Sequence, residues 1–406
     1  MLLFILGRQP EIGLAELRAV FGREVRLVAR DVAAAAIDEN FTADEFREQV
    51  APAFSRLGSV VKVARATSEF RDLTDDNLRA VATKLFNDVE GKITLGASFY
   101  GFGAKFAARD AARTAGELKK ILSSKNSVRL VPNDAPALSS ATVAHNKLAG
   151  DNPKKREFIF VRSTAPDRIF VANTIFVQDI AAYALRDRGR PKRDAHVGML
   201  PPKLAQTIIN LALGKYSSRS GHSANARILL DPFCGTGVIL QEAALMGLDV
   251  YGADLEPRMV DYAKTNLDWL RQARRVSFAE QLEVGDATTH TWRTPIDFIA
   301  TETYLGKSYT SEPNVENLRA NIATCNVILT KFLQNLHRQI SRETGLCIAV
   351  PCWFVRGQTY HLPLIAKLTD LGYEQIFYTD ACDNLIYHRA GQFVGRELLV
   401  LHKKSA

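Results

Sequence analysis

The 406-residue sequence predicts an α/β protein, with a doubly wound, mostly parallel sheet in its C-terminal half and an α+β region before it. From about residue 204 onward, apolar strand patterns alternate with helical patterns, which is the order of a parallel sheet covered by helices. Aspartates end the first three strand patterns of that half, at Asp231, Asp254 and Asp286. The length exceeds one ordinary core and predicts two or three domains.

The N-terminal half divides into two predicted domains. An apolar run at 2–7 ends at a glycine and predicts a strand, and the helical spacing of apolar residues over 10–22 predicts a helix. Together with the segments that follow, they predict one α+β domain over 1–95. Strand patterns around a long, basic helix pattern predict a second domain over 96–183.

Basic charge is concentrated in residues 92–168, the basic segment, which carries 14 Lys and Arg against 6 Asp and Glu. A patch of this kind is expected on a protein that binds a polyanion such as RNA, although a solvated basic face without a partner fits the charge equally well. The candidate RNA contacts within the basic segment are Lys119, Lys120, Lys125 and Arg129.

Residues 184–203 are predicted to be a linker before a third domain over 204–406. The stretch holds six Lys and Arg, three Pro and two Gly, a composition that favours a loop with local positive charge. Its Arg190, Lys192 and Arg193 are further candidate RNA contacts.

No run of about 18 apolar residues predicts a membrane span, and the short apolar start has no basic leader, so it is interpreted as a buried strand. The five cysteines form no CxxC pair and no zinc-ligand spacing, so no metal is expected. A loose, odd set of thiols suits a reducing compartment, and the predicted location is the cytoplasm.

The stretch from Asp231 to Gly237 (DPFCGTG) directly follows an apolar strand and opens a helix, which is where doubly wound sheets bind their ligands. Its two glycines permit positive φ and let a ligand approach the backbone. The carboxylate of Asp231 suits a cationic group and would repel a pyrophosphate. A dinucleotide fingerprint would also need a third glycine where Leu240 stands, so NAD-dependent oxidoreduction ranks last.

Asp254 ends the next strand, 23 residues after Asp231, near the distance at which an acidic residue binds ribose hydroxyls. Asp286 ends the third strand and is a candidate acceptor for an adenine amine. Each aspartate alone is more often a cap or turn residue, but three at successive strand ends favour a nucleoside-bearing, cationic ligand.

Several longer stretches resemble the THUMP-domain tRNA guanine-N2 methyltransferases, which have a Rossmann-like class I methyltransferase domain. In the C-terminal half these are RDRGRPKRDAHVGMLPPKLA (186–205), DPFCGTGVILQEAALMG (231–247) and the GRELLVLHK tail. The THUMP-like stretches are KNSVRLVPN (125–133), LSSATVAHNKL (138–148) and TIFVQDIAAYALRD (174–187). The resemblance implies that a ferredoxin-like domain over 1–95 and a THUMP domain over 96–183 grip tRNA.

The same resemblance implies S-adenosylmethionine as the cofactor. Its methionine part would be surrounded by Asp231, Pro232, Phe233, Cys234, Gly235 and Gly237. Asp254 would bind the ribose with Leu255 beside it, and Asp286 with Ala287 would bind the adenine.

One loop departs from the family, whose amine-methylating motif is Asp-Pro-Pro-Tyr. Here the corresponding residues are Thr301, Glu302, Thr303 and Tyr304. An exocyclic amine is a poor nucleophile, because its lone pair is delocalised into the ring, so acceptors on its hydrogens assist methyl transfer. Thr301 offers one hydrogen-bond acceptor on a short side chain, Glu302 supplies a negative charge, and Tyr304 offers a ring on which the base can stack. These three are the predicted catalytic residues.

The predicted function is therefore methylation of an exocyclic amine in RNA, with a guanine of tRNA as the expected target. Two alternatives stay open: a non-catalytic RNA-binding or assembly protein that keeps the cofactor fold, and a methyltransferase that acts on DNA or protein. Whether a small activating subunit takes part is also open.

Overall fold

The computed structural model describes residues 1–36, 51–86, 88–103, 105–194, 199–214, 227–293, 295–379 and 384–404. The chain forms two compact units. The N-terminal unit comprises Met1–Leu14, Phe21–Ser55 and Ser59–Ala182, and the C-terminal unit comprises Ala15–Val20, Arg56–Gly58 and Tyr183–Ala406.

The described residues form seventeen strands. In chain order they are β1 (Leu2–Leu6), β2 (Arg26–Ala29), β3 (Val32–Ala35), β4 (Val60–Phe70), β5 (Lys92–Tyr100), β6 (Ser127–Leu130), β7 (Lys155–Thr164), β8 (Asp167–Val177), β9 (Ile228–Asp231), β10 (Asp249–Asp254), β11 (Glu280–Val284), β12 (Phe298–Glu302), β13 (Gly345–Val355), β14 (Gln358–Tyr360), β15 (Tyr373–Gln375), β16 (Leu385–Tyr387) and β17 (Val394–Lys403).

Ten α-helices and one 3₁₀ turn, at Pro363–Lys367, lie among the described residues. The α-helices are α1 (Pro10–Phe21), α2 (Ala51–Ser55), α3 (Asp75–Phe86), α4 (Ala108–Leu122), α5 (Ser140–His145), α6 (Ile180–Arg188), α7 (Pro202–Leu213), α8 (Val238–Leu245), α9 (Pro257–Arg274) and α10 (Val315–His337).

One eight-stranded sheet runs through the N-terminal unit, in the order β2-β3-β1-β4-β8-β7-β5-β6. Strand β5 is parallel to β6 and β7, and the other pairs are antiparallel. The predicted boundary after residue 95 falls inside β5, and the strands on both sides of it share this sheet. The division into a ferredoxin-like domain and a THUMP-like domain stays a prediction.

A buried ion pair lies in the middle of this sheet. The ammonium of Lys62 on β4 contacts the carboxylate of Glu157 on β7, and neither side chain is more than 2% exposed. Hydroxyls of Ser98 and Thr174 donate to the same carboxylate, and Lys62 also donates to the Leu138 carbonyl at 2.7 Å. Because every charged atom has a partner, the pair joins four strands without leaving an uncompensated charge.

The C-terminal unit is built on a sheet with the order β11-β10-β9-β12-β13-β17-β15. The strands from β11 to β13 are parallel, whereas β17 runs antiparallel between β13 and β15. The predicted doubly wound sheet is confirmed. The carboxyl ends of β9, β10, β11 and β12 all meet at one edge, which is where such sheets bind ligands.

None of the described helices is long and apolar enough to cross a membrane. Four cysteines lie within the described part of the chain, and all four are buried free thiols: Cys234, Cys325, Cys347 and Cys352. Cys382 lies outside the described residues.

Candidate active site

Residues 231–237, the glycine loop, lie between β9 and α8 at the carboxyl edge of the sheet, as predicted. Gly235 and Gly237 have φ angles of 49° and 79°, which only glycine adopts without strain. A Cβ on Gly237 would lie 3.1 Å from the Cβ of Ala263, so α9 also packs too closely for a larger residue. The Cys234 amide donates to the Ala253 carbonyl at 2.9 Å, which ties the loop to β10.

Asp231 is buried at the end of β9. Its Oδ1 accepts a hydrogen bond from the Thr301 hydroxyl at 2.6 Å and one from the Phe233 amide at 3.2 Å. The pKa of Asp231 is raised to about 7, chiefly by burial and also by the charges of Asp254 and Glu302, while the two hydrogen bonds oppose the rise. Among the described residues, no lysine or arginine forms an ion pair with Asp231, so the pocket favours a cationic ligand.

Asp254 at the end of β10 is held by two backbone amides. Its Oδ2 accepts from Gly235 at 2.9 Å and its Oδ1 accepts from Glu256 at 3.0 Å. Burial raises the pKa of this carboxyl, and the two amides oppose the rise. Each oxygen keeps a second lone pair, so the carboxylate is fixed in orientation and still accepts hydrogen bonds from a pair of hydroxyls.

Two apolar side chains flank Asp254 and face solvent. Leu255 is 66% exposed and Val284, the register partner of Asp254 on β11, is 53% exposed. Exposed aliphatic side chains beside a polar group are typical of a surface on which a flat ring packs. The sequence analysis found Leu255 but missed Val284, because its position depends on the register between β10 and β11.

Asp286 and Ala287 follow β11 at the same edge. The Asp286 carboxylate is exposed and accepts from the Thr288 amide at 2.9 Å. Ala287 is buried, and its carbonyl accepts from Asn335 of α10 at 3.1 Å. The loop is thereby held against the helix while one face of Asp286 stays open to solvent.

Residues 301–304, which correspond to the family's amine-methylating motif, are called the acceptor loop. This loop begins at the end of β12 and is adjacent to Asp231. Thr301 is fully buried, and its hydroxyl donates to Asp231. The Thr303 hydroxyl donates to the Ala349 carbonyl at 3.1 Å. Glu302 accepts from Nε of Arg396 at 2.7 Å. The sequence analysis did not identify Arg396, since the two residues are 94 positions apart and only strand order brings them together.

Tyr304 is 41% exposed and lies two residues after Glu302 in the chain. The loop after it turns at Gly306, whose φ is 80°, and Asn321 of α10 accepts from the Lys307 amide at 3.0 Å. The tyrosine ring is therefore presented to solvent by a loop that is fixed to α10.

Four predicted RNA contacts lie in the N-terminal unit, and all four are exposed: Lys119, Lys120, Lys125 and Arg129. Lys119 and Lys120 are in the last turn of α4. Arg129 lies on β6 and donates to the Asn146 side chain at 3.3 Å.

The other three lie before α7, and they differ in exposure. Lys192 and Arg193 are exposed, whereas Arg190 is only 3% exposed, so we leave Arg190 out of the proposed RNA contacts. The first part of the predicted linker is helical, since α6 continues to Arg188. Asn266 of α9 binds both the Lys192 backbone and the Thr236 carbonyl, which ties this segment to the glycine loop.

The fold and these side chains define a class I, Rossmann-like methyltransferase domain. The sheet has nine strands, of which β14 and β16 pair beside the main path. Numbered in chain order, the seven strands of the main path lie in the order 3-2-1-4-5-7-6, with acidic residues at or just after the ends of strands 1, 2 and 3. The solved structure of TrmN from Thermus thermophilus has this fold over 99% of both chains, at 17% identity and a TM-score of 0.52.

Residues 190–351 match the model of the RMKL-like methyltransferase domain. The tRNA (guanine(10)-N2)-dimethyltransferase of Methanothermobacter thermautotrophicus is 35% identical over 155 residues, 38% of this chain and 39% of the relative. The tRNA (guanine(10)-N2)-dimethyltransferase of Methanocaldococcus jannaschii is 28% identical over 170 residues, 39% of this chain and 46% of the relative. The chain thus spans less than half of these relatives. Its predicted resemblance to tRNA guanine-N2 methyltransferases is confirmed over the matched part of the chain, and the THUMP part of the resemblance stays a prediction.

Proposed function

We propose that this protein is an S-adenosylmethionine-dependent RNA methyltransferase that methylates the exocyclic N2 amine of a guanine in tRNA. The observation that carries the proposal is the hydrogen bond of 2.6 Å from Thr301 to Asp231, which places the acceptor loop directly beside the glycine loop. A ligand held at Asp231 and a base held at Glu302 and Tyr304 would therefore meet at one edge of the sheet.

The residues present fit S-adenosylmethionine. Its ammonium and sulfonium groups would compensate the buried Asp231, which the described part of the chain leaves without a basic partner. Asp254 would accept the two ribose hydroxyls. Leu255 and Val284 offer aliphatic contact to the adenine ring, with Asp286 at its amine.

Held by these residues, the cofactor would supply an electrophilic methyl group to the amine nitrogen, and the bonding pair of the broken C–S bond would leave with sulfur. Tyr304 would stack on the target base and hold it in place, a contact worth about 1–3 kcal/mol per base. Oε2 of Glu302 would accept a hydrogen of the amine, which keeps the nitrogen lone pair directed at the methyl carbon. The proton released from the methylated amine passes through this oxygen to water.

The RNA would be gripped by the exposed basic residues of the N-terminal unit and by Lys192 and Arg193. These charges contact phosphates, so they contribute affinity without base specificity. The free thiols at the four described cysteines agree with a cytoplasmic location.

The test is methyl transfer from labelled S-adenosylmethionine to total tRNA, followed by mass spectrometry of the nucleosides. We expect label in N2-methylguanosine or N2,N2-dimethylguanosine. Label in another nucleoside, or in DNA or protein but not in RNA, would refute the proposed substrate.

A non-catalytic role has one observation in its favour. The Thr301 hydroxyl donates its hydrogen bond to Asp231. The first position of the acceptor loop therefore offers the target amine a weaker hydrogen-bond acceptor than the carboxylate of the family's motif would. Glu302→Gln and Thr301→Ala separate the two functions. If wild type transfers methyl groups and both variants lose rate but keep RNA affinity, the non-catalytic role is excluded.

A further inference from the structure

The carboxylate of Glu302 is fixed across the sheet by an arginine from another strand. On β13, Ala349 pairs with Glu302 and Pro351 pairs with Arg396, so both side chains emerge on the same face, diagonally across β13. Nε of Arg396 donates to Oε1 of Glu302 at 2.7 Å, and the side chains are 11% and 14% exposed. A partly buried, charge-assisted bond of this kind holds the carboxylate in one orientation.

The second carboxylate oxygen is left for a ligand. Among the described residues, no donor lies within hydrogen-bonding distance of Oε2 of Glu302, and Oε1 keeps one lone pair beyond its bond to Arg396. Glu302 directly follows Thr301, whose hydroxyl donates to the buried Asp231 at 2.6 Å, so Glu302 lies near the proposed methyl donor. A group that offers two adjacent N–H donors would satisfy both oxygens.

The bases differ in what they offer to such a carboxylate. Guanine presents two neighbouring donors on its Watson–Crick edge, at N1–H and at the N2 amine. Adenine and cytosine present an amine beside a bare ring nitrogen, whose lone pair would face a carboxylate oxygen and repel it. Enzymes that act on an extruded base identify it by hydrogen bonds to this edge.

We infer that Glu302, held in place by Arg396, selects guanine by accepting hydrogen bonds from N1–H and from the N2 amine. Arg396 is a positioning residue in this scheme, since it touches Glu302 and not the base. The inference rests on the proposed function and adds to it how the base is chosen.

The test compares two tRNAs that differ only at the modified position. That position is first located by mass spectrometry with wild-type protein, and a tRNA assembled by ligation then carries either guanine or 2-aminopurine there. The analogue keeps the N2 amine but lacks the N1 hydrogen. Wild type should prefer guanine about 10- to 100-fold in kcat/KM, the discrimination expected of one bidentate side chain–base pair.

Variants then assign the preference to the ion pair. In Glu302→Gln the amide can donate to the bare N1 of 2-aminopurine, so the ratio of the two kcat/KM values should fall at least about tenfold. Arg396→Met should lower the ratio in the same direction, because the carboxylate loses its fixed orientation. Arg389→Met is the matched control: Arg389 is exposed, its Nε donates to the Tyr387 hydroxyl, and its removal should leave the ratio unchanged.

Binding of S-adenosylmethionine, measured by calorimetry, shows that each variant is folded. If wild type methylates tRNA but treats guanine and 2-aminopurine alike, the inference is wrong and the proposed function stands. An unchanged ratio in Glu302→Gln also overturns it. If wild type binds the cofactor but transfers nothing to any tRNA, the proposed function fails and the inference fails with it.

Discussion

The hydrogen bond from Thr301 to Asp231 makes a strong prediction about cofactor binding. Thr301→Val removes the hydroxyl and nearly keeps the shape of the side chain. The lost bond stabilises only the ionised carboxylate, and a hydrogen bond to a charged group contributes about 1.5–3 kcal/mol. With the wild-type pKa of Asp231 at about 7, the carboxylate is about half ionised at neutral pH.

The variant should therefore bind S-adenosylmethionine about 7- to 80-fold more weakly at pH 7, since 1.4 kcal/mol corresponds to a factor of ten. A cationic ligand needs Asp231 ionised, so wild-type affinity should rise as the pH rises through about 7 and then level off. In Thr301→Val the carboxyl pKa is higher, so the same rise should move to higher pH. Titration calorimetry from pH 6 to pH 9, in two buffers of different ionisation enthalpy, measures both the affinity and the protons released.

Thr303→Val is the matched control for this experiment. Thr303 is buried two residues later, and its hydroxyl donates to the neutral carbonyl of Ala349. Its loss should cost about 1 kcal/mol of folding free energy and leave the pH dependence of binding unchanged. A wild-type affinity that does not vary between pH 6 and pH 8, or a Thr301→Val profile that overlies it, would refute the reasoning.

Three further predictions concern other parts of the chain. Gly237→Ala should weaken cofactor binding at least about tenfold, because the backbone there is strained for alanine and the new Cβ contacts α9. Gly247→Ala is the control: its backbone is equally strained at a φ of 83°, but the space around it is open, so the variant should bind the cofactor normally. Lys62→Met should lower the free energy of unfolding by about 3–5 kcal/mol, since Glu157 stays buried without its counter-ion; urea titration measures this, and a smaller loss in the double variant with Glu157→Gln would confirm the cause. Replacing the four exposed candidate contacts of the basic segment by alanine should weaken tRNA binding and reduce its salt dependence, and an unchanged slope of log K against log salt would exclude that patch.

Much of the C-terminal unit was predictable because its strands are apolar and end at distinct polar residues. The apolar pattern over 249–254 predicts a strand, and the structure confirms it residue for residue. The helical pattern near 313–341 predicts a long helix, which is observed at Val315–His337. The patterns over 373–380 and 397–403 predict an antiparallel edge hairpin. The two strands do pair antiparallel, but β15 ends at Gln375 and β17 lies inside the sheet, between β13 and β15. The local spacing of apolar residues predicts the type and approximate position of each strand and helix, but it is least informative about the residues at which they begin and end.

Contacts between distant segments were not predictable. The pairing of Glu302 with Arg396 requires that β17 insert beside β13, which no local pattern encodes. Arg190 was interpreted from composition as part of a charged loop. Its burial follows instead from the packing of the residues just after α6. On α6 itself, Arg186 forms a buried ion pair with Glu242 at 2.7 Å. Burial of this kind depends on tertiary structure.

The insertion of β17 between β13 and β15 has a consequence for biosynthesis. On a translating ribosome, β9 through β13 emerge first and already carry the glycine loop, the strand-end aspartates and the acceptor loop. Until residue 403 has left the exit tunnel, the nascent domain has an open edge at β13 and lacks the arginine that anchors Glu302. Cofactor affinity can therefore arise cotranslationally, whereas selection among bases has to wait for the late strand to dock.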